Sequence, residues 1–544
     1  MTSSGTAAHG TEDGAGGGPN TPVRLTHRQI VTVLWGLMLG MFLGALDQMV
    51  VASALRTIAD DLQGLTAQAW VTTAYLVAAT IATPLYGKLS DIYGRRPVYL
   101  SAIVIFTVGS LLCGFADSIH QLAGFRAVQG LGGGGLMSLA MTIIADITSP
   151  RERGRYQGYI TAVFAGASVA GPLVGGVFAE RSTLLGLDGW RWIFLINVPL
   201  AALAIAVVLR VLHVPHRPVR HRLDYGGAAA LAVGIVPLLV VAEQGRGWGW
   251  GSPRTLALCA VGVAGLAVFV LVERRMGDAA LLPLRLFGIK AFRLGSLLHF
   301  IVGTVMFGSM AMLPLYLQLA QGMSPIGAGL ATLPMVVANV VVTLAVGRLI
   351  ARTGKFKVHL VAGIAAFAVA MLVFATLRVE TPLWWVSVGM LFMGAGMGAA
   401  MQTITILAQS DVPQGDMGAA TASVNFFRSN GGTVGTAAFL SIFFSLAGPR
   451  ISAGLADAGE DPAFRRLAGE PANAGPLEEV VRADGGVNLE DSAFLHGLDA
   501  PVALPFVEGY VSAAQPVFLT GAAVALIAVV IAAWRVPDTR LSAD

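Results

Sequence analysis

Charge is scarce in this chain. Of its 544 residues, 12% are Asp, Glu, Lys or Arg, about half the share of an ordinary soluble domain. That excludes a water-soluble globular enzyme. Cysteine is nearly absent: Cys113 and Cys259 each stand alone in an apolar stretch, so neither a disulfide framework nor a metal-ligand set is available. Lysine is scarce as well, at four residues (Lys88, Lys290, Lys355 and Lys357). Arg carries the cationic count, which together with abundant Ala and Gly is the bias of a GC-rich bacterial genome. No Gly-x-x-x-x-Gly-Lys-Ser/Thr occurs, so nothing is set to cradle nucleotide phosphates. A net charge of +4 offers no nucleic-acid surface, and no residue grouping suits a catalytic triad or a zinc site. No enzyme activity and no cofactor are expected.

Apolar residues are plentiful: 55% of the chain, with a mean hydropathy of +0.72. About 20 apolar residues cross the hydrocarbon of a bilayer as a helix. Fourteen stretches qualify, at roughly 30–53, 69–86, 98–116, 121–146, 158–179, 192–210, 224–242, 255–272, 294–317, 327–347, 358–377, 383–408, 416–446 and 512–534. Amides left unpaired in lipid are too costly, so the stretches predict helices; barrel strands would be shorter and would alternate in polarity. Residues 1–22 are Gly, Ser, Thr and Pro-rich and read as a disordered tail. They lack the basic start and short apolar core of a signal peptide.

With the N-terminus placed inside, the inner segments hold 23 Lys and Arg and the outer segments ten. This asymmetry orients the chain with both termini, including the 536–544 tail, in the cytoplasm. Arg126 and Arg428 belong to neither set, because both lie inside apolar stretches. The outer segment 447–510 holds eleven acids and four Arg. It is expected to be a long, solvated acidic loop.

Two internal echoes set the architecture. Gly87-Lys-Leu-Ser-Asp-Ile-Tyr-Gly94-Arg-Arg matches Gly347-Arg-Leu-Ile-Ala-Arg-Thr-Gly354-Lys-Phe at five positions, 260 residues apart. Gly130-Leu-Gly-Gly-Gly134 matches Gly394-Ala-Gly-Met-Gly398 at an offset of 264. Two matches at nearly one offset argue for duplication. The second stretch then pairs with the tenth and the fourth with the twelfth. The expected plan is an N-terminal six-helix half (23–210), a linker with two extra transmembrane helices (211–290) and a C-terminal six-helix half (291–535). Parallel halves of this kind suggest a rocking transporter with its site between them, near the midplane. With no nucleotide loop, an ion gradient is the natural energy source.

Several motifs carry chemistry. Gly87 and Gly94 permit a tight turn and close backbone approach. Asp91 between them can pair with Arg95 or Arg96 and can meet a helix N-terminus of the other half, a latch for the cytoplasmic side. Gly166, Gly171, Gly175 and Gly176 give the fifth stretch a flat packing face, and Gly171-Pro172 is expected to break its helix and act as a hinge and seal. Asp47 lies among Leu, Met and Val, where a bare carboxylate costs about 2.5–3.5 kcal/mol on insertion scales. It must be protonated, paired or wet, which suits a proton carrier. Arg cannot deprotonate, so Arg126 and Arg428 are rival partners for that acid. His299 could titrate or could simply pack. Gln129, Asn339 and Gln402 are candidates to line a cavity.

The Gly87–Pro97 pattern resembles the signature between the second and third helices of the major facilitator superfamily. Gly166–Gly176 resembles the antiporter motif of its drug-export branches. Leu46-Asp47 through Leu55 resembles the first-helix motif of the fourteen-helix drug:proton antiporters of the EmrB/QacA type, and Trp190–Pro199 and Gly247-Trp-Gly-Trp250 also match that branch. The family's usual Thr-Ile-Val-Asn after the acid is replaced here by Gln48, Met49, Val50, Val51, Ala52 and Ser53. Phe125–Gly132 resembles the fourth-helix motif, whose Arg the family assigns to proton transfer. The resemblance implies an all-α membrane protein in the bacterial inner membrane, with a major facilitator fold of fourteen helices. It implies a monomer that exports hydrophobic or cationic small molecules in exchange for protons, among membrane lipids. Export of lipids or lipid-like metabolites is the alternative, and a non-transporting membrane sensor a further one.

Overall fold

The computed structural model describes residues 27–62, 69–148, 150–179, 183–212, 225–277, 280, 282–323, 325–413, 416–480, 495 and 497–538. The expected tail at 1–22 and most of the Arg/His-rich segment before the extra helices lie outside these residues. The helices are α1 (His27–Asp61), α2 (Ala69–Tyr93), α3 (Arg95–Gly114), α4 (Ile119–Ile147), α5 (Pro150–Ala179), α6 (Arg191–Leu195), α7 (Asn197–Val211), α8 (Tyr225–Trp248), α9 (Pro253–Met276), α10 (Lys290–Leu319), α11 (Pro325–Ala331), α12 (Leu333–Thr353), α13 (Lys357–Ala375), α14 (Leu383–Gly396), α15 (Gln402–Gln409), α16 (Met417–Ala458), α17 (Pro462–Ala468), α18 (Pro471–Val480) and α19 (Ala500–Arg535). A two-residue hairpin, β1 (Thr183–Leu184) with β2 (Leu187–Asp188), is the one sheet among the described residues.

Each of the fourteen apolar stretches falls on one helix or on consecutive helices. Among the described residues, eleven helices are long and apolar enough to cross a membrane, and Ala162–Phe178 and Gly226–Val241 are shorter apolar runs. The sixth stretch is split into α6 and α7, and the tenth into α11 and α12. The twelfth carries a π-turn over Met397–Met401 between α14 and α15.

The duplication is visible in atoms. A Cβ on Gly130 or Gly134 would strike the carbonyl oxygens of Tyr75 and Ala79 on α2, and a Cβ on Gly394 would strike that of Met335 on α12. On Gly398 it would lie 2.6 Å from the carbonyl of Asn339. Met335 and Asn339 follow Tyr75 and Ala79 by the same 260 residues. The echoed loops agree: Gly94 and Gly354 both adopt positive φ, at 95° and 68°. Glycine takes that backbone without strain.

A large buried core serves the C-terminal half, around α10, α13, α16 and α19, with a smaller one around Phe292, Ala408 and Val424. Two serve the N-terminal half, around α1, α3 and α4. The extra pair α8–α9 lies against the seam between halves, where Leu231, Ile235 and Phe269 pack with Phe426 of α16 and with Val77 and Leu85 of α2.

Two expectations need correction. Helix α5 runs unbroken through Pro172; a proline removes one backbone bond, which neighbouring helices in a membrane protein can compensate. Two of its glycines pack within their own half. A Cβ on Gly171 would strike Met49, and one on Gly166 would lie 3.8 Å from Phe42, both on α1 of the same half. Gly175 is buried and Gly176 half-buried. Contact with the other half is made by α5 against α12. The acidic segment 447–510 is also less of a loop than expected. α16 continues to Ala458 and α19 begins at Ala500, joined by Phe443 stacked on Tyr510 at 6.0 Å. Between them, buried Asn473 donates to the Asp499 carboxylate at 2.9 Å and to the Leu467 carbonyl at 2.9 Å, holding α17 and α18 down. Residues 481–494 and 496 lie outside the described set.

Gly130→Val and Gly394→Val should each destabilise the protein by about 1–3 kcal/mol or more, since backbone oxygen cannot yield as a side chain can. Gly124 has open space around it, so Gly124→Val is the control. Thermal melts of detergent-purified variants check this; equal melting of all three would refute the packing role.

Candidate functional site

Asp47 of α1 is 1% exposed and Arg126 of α4 is 2% exposed. They form an ion pair with Arg126 NH1 2.6 Å from Asp47 Oδ2. The second carboxylate oxygen, Oδ1, accepts from Gln129 Nε2 at 2.8 Å and from Asn197 Nδ2 at 2.9 Å. Arg126 also donates to Gln129 Oε1 at 2.7 Å and reaches toward the Val71 carbonyl. Its guanidinium lies 4.3 Å from the centre of the Tyr75 ring. Gln48, next to the acid, donates to the Tyr75 hydroxyl at 3.4 Å. Ser110 Oγ accepts from both Gln129 and Asn197 and donates to the Phe194 carbonyl at 2.9 Å. Asn197 Oδ1 is buried without a partner.

These contacts follow from helix geometry. Arg126 and Gln129 are one turn apart on α4, so both face α1. The glycines of α4 let α2 and α3 approach closely enough to bring Tyr75 and Ser110 in. Asn197 opens α7 directly after the turn at Ile196. Arg126 is seven residues into α4, about 10 Å along the axis. The pair is therefore nearer the face where α4 begins than the face bearing Lys88 and Arg95, not at the midplane as expected.

Of the two partners open to Asp47, the structure selects Arg126. Arg428 on α16 has no ion pair among the described residues, and its Nε is buried without a partner. It packs instead on α10, its carbonyl 2.6 Å from where a Cβ on Gly303 would lie. His299 Nδ1 lies 3.2 Å from the Gly295 carbonyl and Nε2 lies 3.3 Å from the Thr405 hydroxyl. Gln129 belongs to the acid's network. Asn339 accepts from Thr343 at 3.3 Å within its own helix. Gln402 does line a cavity, of about 20 Å³, between α4 and α15, with Met141, Ile144, Thr405 and Gln409 among its walls.

The latch residues gather at the face bearing the basic loops. Arg95 pairs with Asp91 at 2.6 Å and with Asp146 at 2.7 Å, and it also donates to Ser90. A Cβ on Gly418 would strike the Asp91 carboxylate, which places that acid over the first turn of α16 in the other half. The positive end of a helix favours a carboxylate there. A Cβ on Gly87 would lie 2.8 Å from that of Ala422 and 3.0 Å from the Gly418 carbonyl, so the seam is closed at this end. Arg96 takes no part; it donates to the Leu209 carbonyl at 2.6 Å within its own half. Burial pushes the Asp91 carboxyl up to about 6 against the pull of Arg95. Burial likewise lowers Lys88, which the charges of Asp91, Asp416 and Glu273 oppose. Glu273 is the buried acid of α9, and it accepts from the Leu282 amide at 3.0 Å.

Sequence reading missed Tyr75, Ser110 and Asn197. Asn197 carried a signal, as a lone amide inside an apolar run; Ser110 and Tyr75 had none, because hydroxyls pack in many helices without function.

A raised carboxyl pKa means that the closed seam holds a proton more firmly than an open one, where the carboxyl is hydrated near its ordinary value of about 3.9. That advantage is full below about pH 4 and fades as pH rises through 6. Spin labels on the ends of α2 and α16 should therefore report more opening at pH 7 than at pH 4.5, and Asp91→Asn should remove that difference. An unchanged pH response in the variant would contradict the assignment.

The comparisons with known proteins agree with this architecture. Residues 37–436 match the Major Facilitator Superfamily model. The chain is 31% identical to Multidrug resistance protein 3 of Bacillus subtilis, over 86% of this chain and 89% of that one. It is 40% identical to a tetracycline resistance determinant of Streptomyces rimosus, over 56% of this chain and 88% of that one. Among solved structures, the proton:xylose symporter XylE superposes with a TM-score of 0.58 at 15% identity, covering 95% of this chain and 98% of the other, a likeness of fold alone. Family model, fold and internal repeat converge: this chain is a multi-pass membrane transporter, not an enzyme, and it belongs to the major facilitator superfamily.

Proposed function

We propose that the protein exports hydrophobic small molecules from the bacterial cytoplasm or inner leaflet by alternating access, driven by exchange for protons. The face bearing Lys88 and Arg95 is then cytoplasmic, as are both termini. The observation that carries this reading is the Asp47–Arg126 pair, buried to 1% and 2% exposure inside a half that must rock against its partner. Relatives named for multidrug and tetracycline resistance support the direction of transport.

The chemistry follows from the contacts. While Asp47 is ionised, its carboxylate accepts from Arg126, Gln129 and Asn197, and α1 and α4 are held together. Protonation removes the charge that Arg126 was paired with. The Asn197 amide is placed for both states. Its Nδ2 donates to the ionised acid, and its partnerless Oδ1 can accept the new O–H once the amide turns over. The cost of protonation falls on Arg126, left with Gln129 Oε1, the Val71 carbonyl and the Tyr75 ring. Removing one partner of a buried pair typically costs about 3–5 kcal/mol, enough to shift a balance between two packings of the halves. The latch at Asp91 opens and closes the other end of the same seam.

A cationic cargo, which the resemblance also implies, would need a free acid, and Asp47 is already paired. Hydrophobic cargo needs none. Lipid export remains the second reading, and the folded outer segment of α17 and α18 is the feature it would use.

In everted vesicles, Asp47→Asn should abolish dye accumulation driven by a proton gradient, by tenfold or more, at unchanged expression. Asn197→Asp or Asn197→Leu should lower it several-fold. Accumulation by Asp47→Asn at the native rate, still collapsed by a protonophore, would sink the proton-carrier role.

A further inference from the structure

A second polar cluster lies in the C-terminal half, and the coupling scheme does not use it. Gln402 is 3% exposed, and both its amide oxygen and its amide nitrogen are buried without partners. Ser296 is 2% exposed with an orphaned hydroxyl, and Arg428 has an orphaned Nε. Orphaned buried polar atoms are rare and costly, and four of them gather here.

The residues are linked through His299. Ser296 and His299 are one turn apart on α10, and Gln402 and Thr405 are one turn apart on α15. His299 Nε2 meets the Thr405 hydroxyl at 3.3 Å, and Arg428 packs against α10 one turn on from His299, its carbonyl 2.6 Å from where a Cβ on Gly303 would lie. Gln402 follows directly on the π-turn Met397–Met401, an element that re-aims the residues after it and recurs at functional sites. Gln402 and Thr405 line the cavity whose far wall, Met141, Ile144 and Ala145, is α4 of the other half.

Charge decides the class of ligand. Asp47 and Arg126 neutralise each other. Arg428 stays positive at any working pH and, among the described residues, has no acid paired with it. Arg428 thus brings one positive charge, with no described acid paired to it, beside this cluster. We infer that the transported molecule is a small amphiphilic organic anion, its acidic group taken by Arg428 and its neutral polar groups by Gln402 and Ser296. The cavity as it stands has room for water alone, so the apolar remainder meets Met141 and Ile144 once the halves part. A cation would meet an unscreened like charge in low dielectric. This rests on the export reading, and it narrows that reading to acidic cargo.

The test uses two dyes of one xanthene scaffold and opposite charge, fluorescein and rhodamine 123, with the full-length protein in nanodiscs and in everted vesicles. Fluorescein should bind saturably and at least tenfold more tightly than rhodamine 123. Arg428→Gln should weaken fluorescein tenfold or more, whereas Arg428→Lys should stay within about threefold. Gln402→Leu should weaken it several-fold without touching the charge. The melting temperature separates a ligand role from a structural one. Removing an orphaned cation should leave Arg428→Gln as stable as the native protein or more so, and a large drop would mean that Arg428 holds the fold and would overturn the proposal. Tighter binding of rhodamine 123, or no saturable fluorescein binding, would overturn it as well. In the vesicles, proton-driven uptake of rhodamine 123 with none of fluorescein leaves export standing and the anion preference refuted. Saturable fluorescein binding without any proton-driven uptake refutes export and leaves the site standing.

Discussion

A carboxylate and a guanidinium bonded at 2.6 Å in the buried interior of one half are the interaction on which the rest of this molecule depends. Either charge alone would be costly there. Desolvating an isolated ion costs several kcal/mol, and water is not at hand to share the cost. Around the pair, Gln129, Asn197, Ser110 and Tyr75 supply the remaining donors and the cation-binding ring face. Such a network is stable while every member is satisfied and loses its balance when one proton is added. Five helices, α1, α2, α3, α4 and α7, meet at it, so a change in its charge is felt throughout one half.

The duplicated halves do not share this feature. Their backbones repeat faithfully, down to the glycines of α4 and of α14 with its π-turn that press on α2 and α12 at positions 260 residues apart. Their polar contents diverge. The first half holds a closed ion pair; the second holds Arg428, Gln402 and Ser296 with buried atoms that bond to nothing. A network whose charges are paired suits a switch that must rest in one state. An unsatisfied one suits a surface that waits for something to complete it. The division of labour we propose, proton on one half and cargo on the other, follows from that contrast.

Much of this was legible in the chain itself. Hydrophobic runs located the helices, because backbone amides in lipid leave no other choice. Lone charges in those runs pointed at Asp47, Arg126 and Arg428, because each is too costly to be accidental. Choosing between the two arginines was beyond a one-dimensional reading, since the choice depends on which face of α16 turns toward α10. The neighbour of Gly166 and Gly171 was out of reach for the same reason: spacing tells that a helix packs closely, not on which neighbour. Pro172 misled because a proline breaks helices in water far more readily than among other helices. The acidic segment was expected to be a loop from its composition, yet α16 and α19 extend into it. Pairing of Phe443, Ile451 and Tyr510 across the two helices stabilises turns that propensity alone would not.

The central claim is that Asp47 takes up and releases the proton. Infrared difference spectra of the purified transporter, recorded as pH is lowered, read this directly, because a carboxylic acid C=O stretch appears when a buried carboxylate is protonated. The account predicts a protonated carboxyl band in the native protein that Asp47→Asn removes. The same band persisting at full strength in Asp47→Asn would contradict it.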